Sequence, residues 1–223
     1  MTTDWSADPY WWVDAIVALG TLLAVVVALF AEPLKRWLCS PKFEIWLKSE
    51  NGELTPVKLK DPVTNQSRSE QGRYYHLSVK NSGCSTAKNT AAYLTHLMLR
   101  GAGDTWYQAW SGEAPLSWRH GELYPLLREI GSTPLDADLF ALVRNKWLDL
   151  RVVIRPNALP TDCDAPGRWR EKIEMVVTVQ IKATDAQSEQ KLFHVEWDGG
   201  WQDGDAEIVR HFRIKPINNV SEA

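Results

Sequence analysis

The sequence predicts a mainly β protein: an N-terminal transmembrane helix followed by an antiparallel β-sandwich. Two observations predict it. One is a long uncharged apolar run near the start of the chain. The other is a series of segments with a period of two, separated by short turn signals.

The apolar run comes first. From Ala15 to Ala31 there is no charge, and only Gly20 and Thr21 depart from plainly apolar residues. Starting at Tyr10 admits one acidic residue, Asp14. At about 1.5 Å per residue, Tyr10 to Ala31 reaches roughly 33 Å, enough for a hydrocarbon layer of about 30 Å. Asp14 then belongs at the interface. Trp11 and Trp12 mark one edge and Trp37 the other, as in an aromatic belt. Pro33 suits a place where the helix bends or restarts near the surface. Two other readings fit less well. A cleaved signal peptide needs a basic leading region, and no Lys or Arg precedes Ala15. A buried core helix is the second, but a nearly uncharged run with no polar face is unusual on a soluble domain.

The flanks give an orientation. Asp4, Asp8 and Asp14 stand before or at the start of the helix, and Lys35, Arg36, Lys42 and Lys48 follow it. The excess of Lys and Arg on one side predicts a cytoplasmic C-terminal domain and an N-terminus outside. Cys39, Cys84 and Cys163 make an odd number without a CxxC pair, which argues against a disulfide framework. Cys39 is juxtamembrane, where palmitoylation occurs, although an unmodified small residue is the simpler reading. Gly20, Ala24 and Ala28 recur every four residues, nearly along one stripe of the helix. Small residues allow close helix approach, so the stripe is a candidate homodimer contact, with Thr21 beside it as a donor.

The expected organisation is a short outer segment at 1–9, the transmembrane helix at 10–32, a juxtamembrane linker at 33–41, the sandwich at 42–217, and a frayed tail at 218–223. The bilayer is the partner of residues 10–32. The soluble part is long enough for one well-packed core. A formal charge of −3 and the absence of a basic stripe give no reason to expect nucleic acid. Of the twelve Trp, those away from the membrane edges fall in or beside strand-like segments.

Strands follow in order. Phe43, Ile45 and Leu47 face one way, with Glu44 and Trp46 opposite. Tyr75, Leu77 and Val79 point inward, with His76, Ser78 and Lys80 on the wet face. The stretch from Gly52 to Gly72 is polar, carries Pro56 and Pro62, and reads as a long loop or a hairpin insertion. Asn81-Ser82-Gly83 is a turn. Ala91 to Leu99 is a second apolar strand or pair of strands, ended by Gly101 and Gly103. Pro134 to Lys146 fits either a short helix capped by Asp136 or a strand through Phe140 and Leu142. Leu148, Leu150, Val152 and Ile154 share one side. Ile173 to Ala183 alternates cleanly, as do Phe193, Val195 and Trp197. Asp198-Gly199-Gly200 turns. Ile208, Phe212 and Ile214 share the inner side of the last strand, with Arg210 an exception near an edge.

The basic-aromatic exit LKRWL, the strand entry PKFEI, and the block Tyr75-x-Leu77-x-Val79-x-Asn81-x-Gly83 followed by Ala87-Lys88-Asn89 carry a likeness. In them the first half of the chain resembles uncharacterised bacterial single-span membrane proteins with a cytoplasmic immunoglobulin-like domain. The resemblance implies an immunoglobulin-like sandwich. It implies no chemistry, and it assigns no catalytic residue.

The sequence assigns no catalytic, cofactor-binding or metal residue. It has no phosphate-binding glycine loop, no H-E-x-x-H and no G-x-S-x-G. The five histidines, His76, His96, His120, His194 and His211, are scattered, and His96 and His194 read as core or cross-strand residues. Asp136 and Asp138 share a face if they lie on a strand. A Ca²⁺ site needs six or more oxygens, so a helix cap or solvated turn is the simpler reading. Asp198, Asp203 and Asp205 read as turn residues, and Cys84 has no adjacent base. The expected function is therefore a non-enzymatic, membrane-tethered protein-interaction or scaffold module with an unidentified protein partner. The alternative is a membrane-anchored sensor of a small ligand or of the envelope state, favoured by a concave pocket lined with Trp106, Trp110 or Trp118. A hydrolase would need a cleft with converging polar groups.

Overall fold

The computed structural model describes residues 10–60, 67–101, 104–119, 127–162, 165–184 and 186–223, with the backbone alone at 32–38 and 60. The expected outer segment at 1–9, His120 and Cys163 lie outside the described residues. The chain divides into two compact units, Met1–Ser40 and Pro41–Ala223.

The first unit contains α1, Trp11–Leu38, with Asp14 in its first turn, where the helix dipole favours an acid. The 21 residues Trp11–Ala31 are long and apolar enough to cross a membrane. Their large side chains, Leu19, Leu22, Leu23 and Phe30 among them, are exposed. An apolar surface of this length suits lipid and supports single-pass topology. The helix does not restart at Pro33 but continues to Leu38. Thr21 donates its hydroxyl to Val17 O at 2.8 Å, so its donor is used within its own helix and not across a contact.

The second unit is built of two antiparallel sheets. The first contains β1 (Phe43–Leu47), β2 (Glu53–Lys60), β3 (Ser67–Asn81), β6 (Ser117–Trp118), β8 (Leu135–Val143), β9 (Trp147–Leu150) and β10 (Arg168–Trp169). Its order is β1-β3-β8-β9-β10, with β2 also on β3 and β6 also on β8. The second contains β4 (Ala87–Arg100), β5 (Trp106–Pro115), β7 (Arg128–Ile130), β11 (Ile173–Lys182), β12 (Lys191–Trp197) and β13 (Phe212–Ile217). Its order is β13-β12-β11-β4-β5, with β7 on β4. A short helix α2, Asp205–Ile208, precedes β13. A 3-10 turn, Val220–Glu222, occupies the end where fraying is expected.

One hydrophobic cluster joins the inner faces of both sheets. Tyr75, Leu77, Val79 and Phe140 come from the first sheet, and Leu94, Val177, Phe193 and Phe212 from the second. The Phe212 ring lies 4.3 Å from that of Tyr75 and 6.2 Å from that of Phe140, centroid to centroid. Alternation explains the inward set: Tyr75, Leu77 and Val79 are fully buried, as their period of two requires. Asn81 closes the turn after β3. Its side-chain oxygen accepts from Lys42 N and Gly83 N, and its amide donates to Ser85 O and Ile130 O.

Some readings left open are decided and some expectations change. Within Pro134–Lys146 the strand alternative holds over Leu135–Val143, with a turn at 144–146, so Asp136 lies in a strand and caps no helix. Within the stretch from Gly52 to Gly72, Glu53–Lys60 pairs antiparallel with the start of β3, Glu53 opposite Tyr74 and Lys60 opposite Ser67, which is the hairpin alternative; residues 61–66, Pro62 among them, lie outside the described residues. Ile154 does not share the inner side with Leu148, Leu150 and Val152. Strand β9 ends at Leu150, and Ile154 is 56% exposed. Ile208 is buried on α2 rather than on the last strand, and Arg210 is exposed in the turn that follows.

Candidate functional site: a charged cleft on the outer face of the first sheet

The outer face of the first sheet is not simply wet. His76 and Ser78 point away from the core, as alternation demands, yet they are only 6% and 5% exposed. Register accounts for this. Ser78 pairs with Asp136 and His76 with Asp138 across β3 and β8. Strand β2 folds back on the first half of β3, which brings Glu53, Thr55 and Pro56 to the same region. Pro56 fits here because β2 is an edge strand and loses no interior ladder bond. Glu53, Thr55, Pro56, Tyr74, His76, Arg119 and Asp138 then line a cleft of about 270 Å³.

The charges in this region are tied to one another. His76 Nδ1 donates to Asp138 Oδ1 at 2.8 Å, and Ser117 donates to Asp138 Oδ2 at 3.3 Å. Asp136 accepts from Lys48 Nζ at 2.5 Å and from Ser78 at 2.7 Å. Arg119 pairs with Glu53, and its Nη1 also reaches Asp136 Oδ2 at 3.4 Å. Burial pushes the Asp136 carboxyl up, but the bonds from Lys48 and Ser78 outweigh it and hold the group below the ordinary carboxylate range. Three carboxylates, Glu53, Asp136 and Asp138, face the cations Lys48 and Arg119 around His76, and Glu53, half exposed, is the carboxylate nearest solvent. Tyr74 forms an aromatic wall: it stacks beside His76 at 6.2 Å, and the Arg151 guanidinium lies over its ring at 5.5 Å.

The arrangement offers polar groups and an aromatic wall for binding. Ser117 bonds to Asp138 rather than to His76, so serine, imidazole and acid do not form a relay. Among the described residues no catalytic triad is assembled. Cys84 is exposed in its turn. His96 is half-buried beside Thr95, and His211 reaches Asp198 at 3.0 Å. Burial pushes the Asp198 carboxyl up, while Gly200 N and His211 more than reverse that. One group able to hold a metal by geometry, Glu174, His194 and Glu196, lies on the second sheet.

Asp136 and Asp138 do share a strand face, as their spacing allows, but they are held by cations and hydroxyls rather than forming a cap or solvated turn. Lys48, Glu53, Tyr74 and Arg119 carry no local signal in the sequence. They meet only because β1, β2, β3, β6 and β8 are neighbours. Trp110 and Trp118 belong to the core, at 8% and 6% exposure, and Trp106 packs edge-on against His194. Arg73 was not singled out by its sequence context, yet it is fully buried. It donates to Asn51 O at 3.0 Å, to Asp205 Oδ1 at 2.7 Å and to Asp203 O. Asp203 and Asp205 therefore do more than turn the chain.

No family model, no curated protein and no solved structure matches this chain. The findings support a single apolar helix joined to a β-rich domain; the immunoglobulin-like and bacterial parts of the resemblance rest on the residues quoted for it.

Proposed function

We propose that this chain is a membrane-tethered docking module without catalytic activity, and that its cytoplasmic domain holds a partner at the cleft between β2, β3 and Arg119. The observation that carries the reading is the cleft itself. Its volume falls just short of the ordinary range for small-ligand pockets, roughly 300–1,000 Å³. Its walls are mostly polar and already paired, which suits one side chain of a protein partner better than an enclosed metabolite. The surplus carboxylate and the Tyr74 ring favour a Lys or Arg from that partner. Tethering raises the local concentration of whatever docks at the bilayer.

The immunoglobulin-like reading is supported by strand order. The neighbours β1-β3-β8 in one sheet and β12-β11-β4-β5 in the other follow the A-B-E and G-F-C-C′ arrangement of variable-type domains, to which β9, β10 and β13 are additions. The cytoplasmic placement rests on Lys35, Arg36, Lys42 and Lys48 following the helix. A reporter active only in the cytoplasm, fused after Ala223, is expected to work; activity of an exported reporter instead would reverse the orientation.

A photo-reactive residue at Thr55, in intact membranes, is expected to trap one protein of defined mass. The same probe at Gln108, on the second sheet, is expected to trap none. Glu53→Lys should abolish the adduct. Equal trapping from both positions, or no effect of Glu53→Lys, would sink the reading. An adduct at twice the chain's mass would identify a second copy. We propose that such pairing runs through Gly20, Ala24 and Ala28, where a Cβ added at Gly20 meets nothing within 4 Å. Gly20→Ile is then expected to reduce that adduct without disturbing the isolated helix.

A further inference from the structure

On the outer face of the second sheet, Glu174 of β11 stands directly opposite Glu196 of β12. Like charges facing each other across strands are destabilising. His194 lies two residues before Glu196 on the same strand, so it shares the face. Its side chain is 3% exposed. The ring is fixed on several sides. Trp106 packs edge-on at 5.7 Å, and Nε2 lies 3.0 Å from Glu174 Oε1. Glu174 in turn accepts from the Arg100 guanidinium.

This geometry decides the tautomer. An ionised carboxylate only accepts, so Nε2 must carry the hydrogen. In the neutral ring Nδ1 is then the bare nitrogen. Among the described residues it has no hydrogen-bond partner, although it is buried. Glu196 Oε1 faces it at 3.6 Å, beyond hydrogen-bond reach. Where Nδ1 carries no hydrogen, two acceptors confront each other across a small gap, and either a proton on the ring or a metal cation placed there removes the conflict. Zinc–nitrogen and zinc–oxygen bonds of about 2.0–2.2 Å, with their outer atoms 3.6 Å apart, enclose an angle of roughly 120°, close to tetrahedral. The three side chains offer one ligand atom each within 4.8 Å of one another.

We propose that His194 Nδ1 and Glu196 form a binding site for a divalent transition-metal cation of the Zn²⁺ class. Glu174 is the positioning residue: it holds the Nε2 hydrogen and so keeps the Nδ1 lone pair aimed at the ion, as outer carboxylates do for metal-bound histidines. Arg100 anchors Glu174 from the other side. Glu196 is 42% exposed, so its carboxylate is open to solvent, and with Glu174 it lines a cleft of about 210 Å³ that also carries Lys172, Arg210 and Arg213. Arg213 lies 4.0 Å from Glu196, and its charge weakens the site without blocking it. The sequence assigns no metal ligand: His194 and Glu196 are two residues apart on one strand, a spacing that matches no metal signature by itself, and Glu174 is twenty residues before His194 on another strand.

The test is titration of the full chain in detergent with Zn²⁺, and with Co²⁺ as a coloured probe. One equivalent is expected to bind. Glu196→Gln and His194→Gln should each abolish stoichiometric binding, and Glu174→Gln should weaken it by about 10–100-fold. His76→Gln, on the first sheet, should leave it unchanged. A ring-nitrogen NMR spectrum gives a readout that needs no substitution: Zn²⁺ is expected to move the Nδ1 resonance of His194 while Nε2 keeps its hydrogen. Absence of one-to-one binding, insensitivity to Glu196→Gln, or a His194 ring unmoved by Zn²⁺ would overturn the proposal.

Discussion

Replacing Arg73 by Ala is expected to lower the unfolding free energy of the domain by about 2–4 kcal/mol. Arg73 is fully buried on β3, next to the core residue Tyr75, and its fork ties together three separate pieces of chain. One bond goes to Asn51 at the start of the hairpin, and two go to the segment that leads into α2. Ala leaves a cavity the size of the side chain and removes donors from two backbone carbonyls. The ion-pair part of the loss is small, because the Asp205 side chain is 70% exposed and water replaces its partner. The cost is therefore mostly packing and unsatisfied carbonyls, which places it below that of a fully buried broken pair. Arg73→Lys should recover less than half, since an ammonium cannot serve three acceptors arranged around a planar fork. Arg73→Met, which fills volume without donating, separates the two contributions. Denaturant unfolding of the full chain measures all three. A loss below about 0.5 kcal/mol for Arg73→Ala, the ordinary range for surface changes, would show that the clasp is dispensable. Burial raises the Tyr75 hydroxyl well above its ordinary pKa, and that hydroxyl has no hydrogen-bond partner among the described residues. The neighbourhood is thus already short of polar compensation.

The parts of the fold that could be read from sequence were those with one buried face. Alternation located Tyr75, Leu77 and Val79, and it located Phe193, Val195 and Trp197, because one side of each strand meets the core. Strand β8 defeated the same reasoning. From Ala137 to Val143 every residue is buried, since β3 and β9 flank it and its outer side is covered as well. A strand buried on both faces has no period to read. Ile154 was misplaced for the opposite reason: the alternating pattern runs on past the point where β9 stops pairing. The candidate sites were less legible still. Asp136 and Asp138 could be placed on one face, but Lys48 and Arg119 reach Asp136 from just past the ends of β1 and β6, 88 and 17 residues away. Arg73 meets Asp205 across 132 residues, and His194 meets Glu174 across 20. Such contacts follow from register between strands, which no local window contains.

The anchor carries the largest expected effect of a targeted change. Leu19 and Leu23 lie near the middle of Trp11–Ala31, and both are exposed on the helix. An Arg at the centre of a spanning helix costs about 2.5–3.5 kcal/mol on insertion scales. Leu19→Arg together with Leu23→Arg should therefore cost about 5–7 kcal/mol by simple addition, a shift of more than a thousandfold in the insertion equilibrium. The domain itself, Pro41–Ala223, is a separate compact unit and is expected to fold in either case. Alkaline carbonate washing of membranes is the most direct measurement. A chain spanning the bilayer stays in the pellet, and the doubly substituted chain moves to the supernatant with its domain intact. Release of the unaltered chain by carbonate, without detergent, would contradict the membrane anchor on which the account rests.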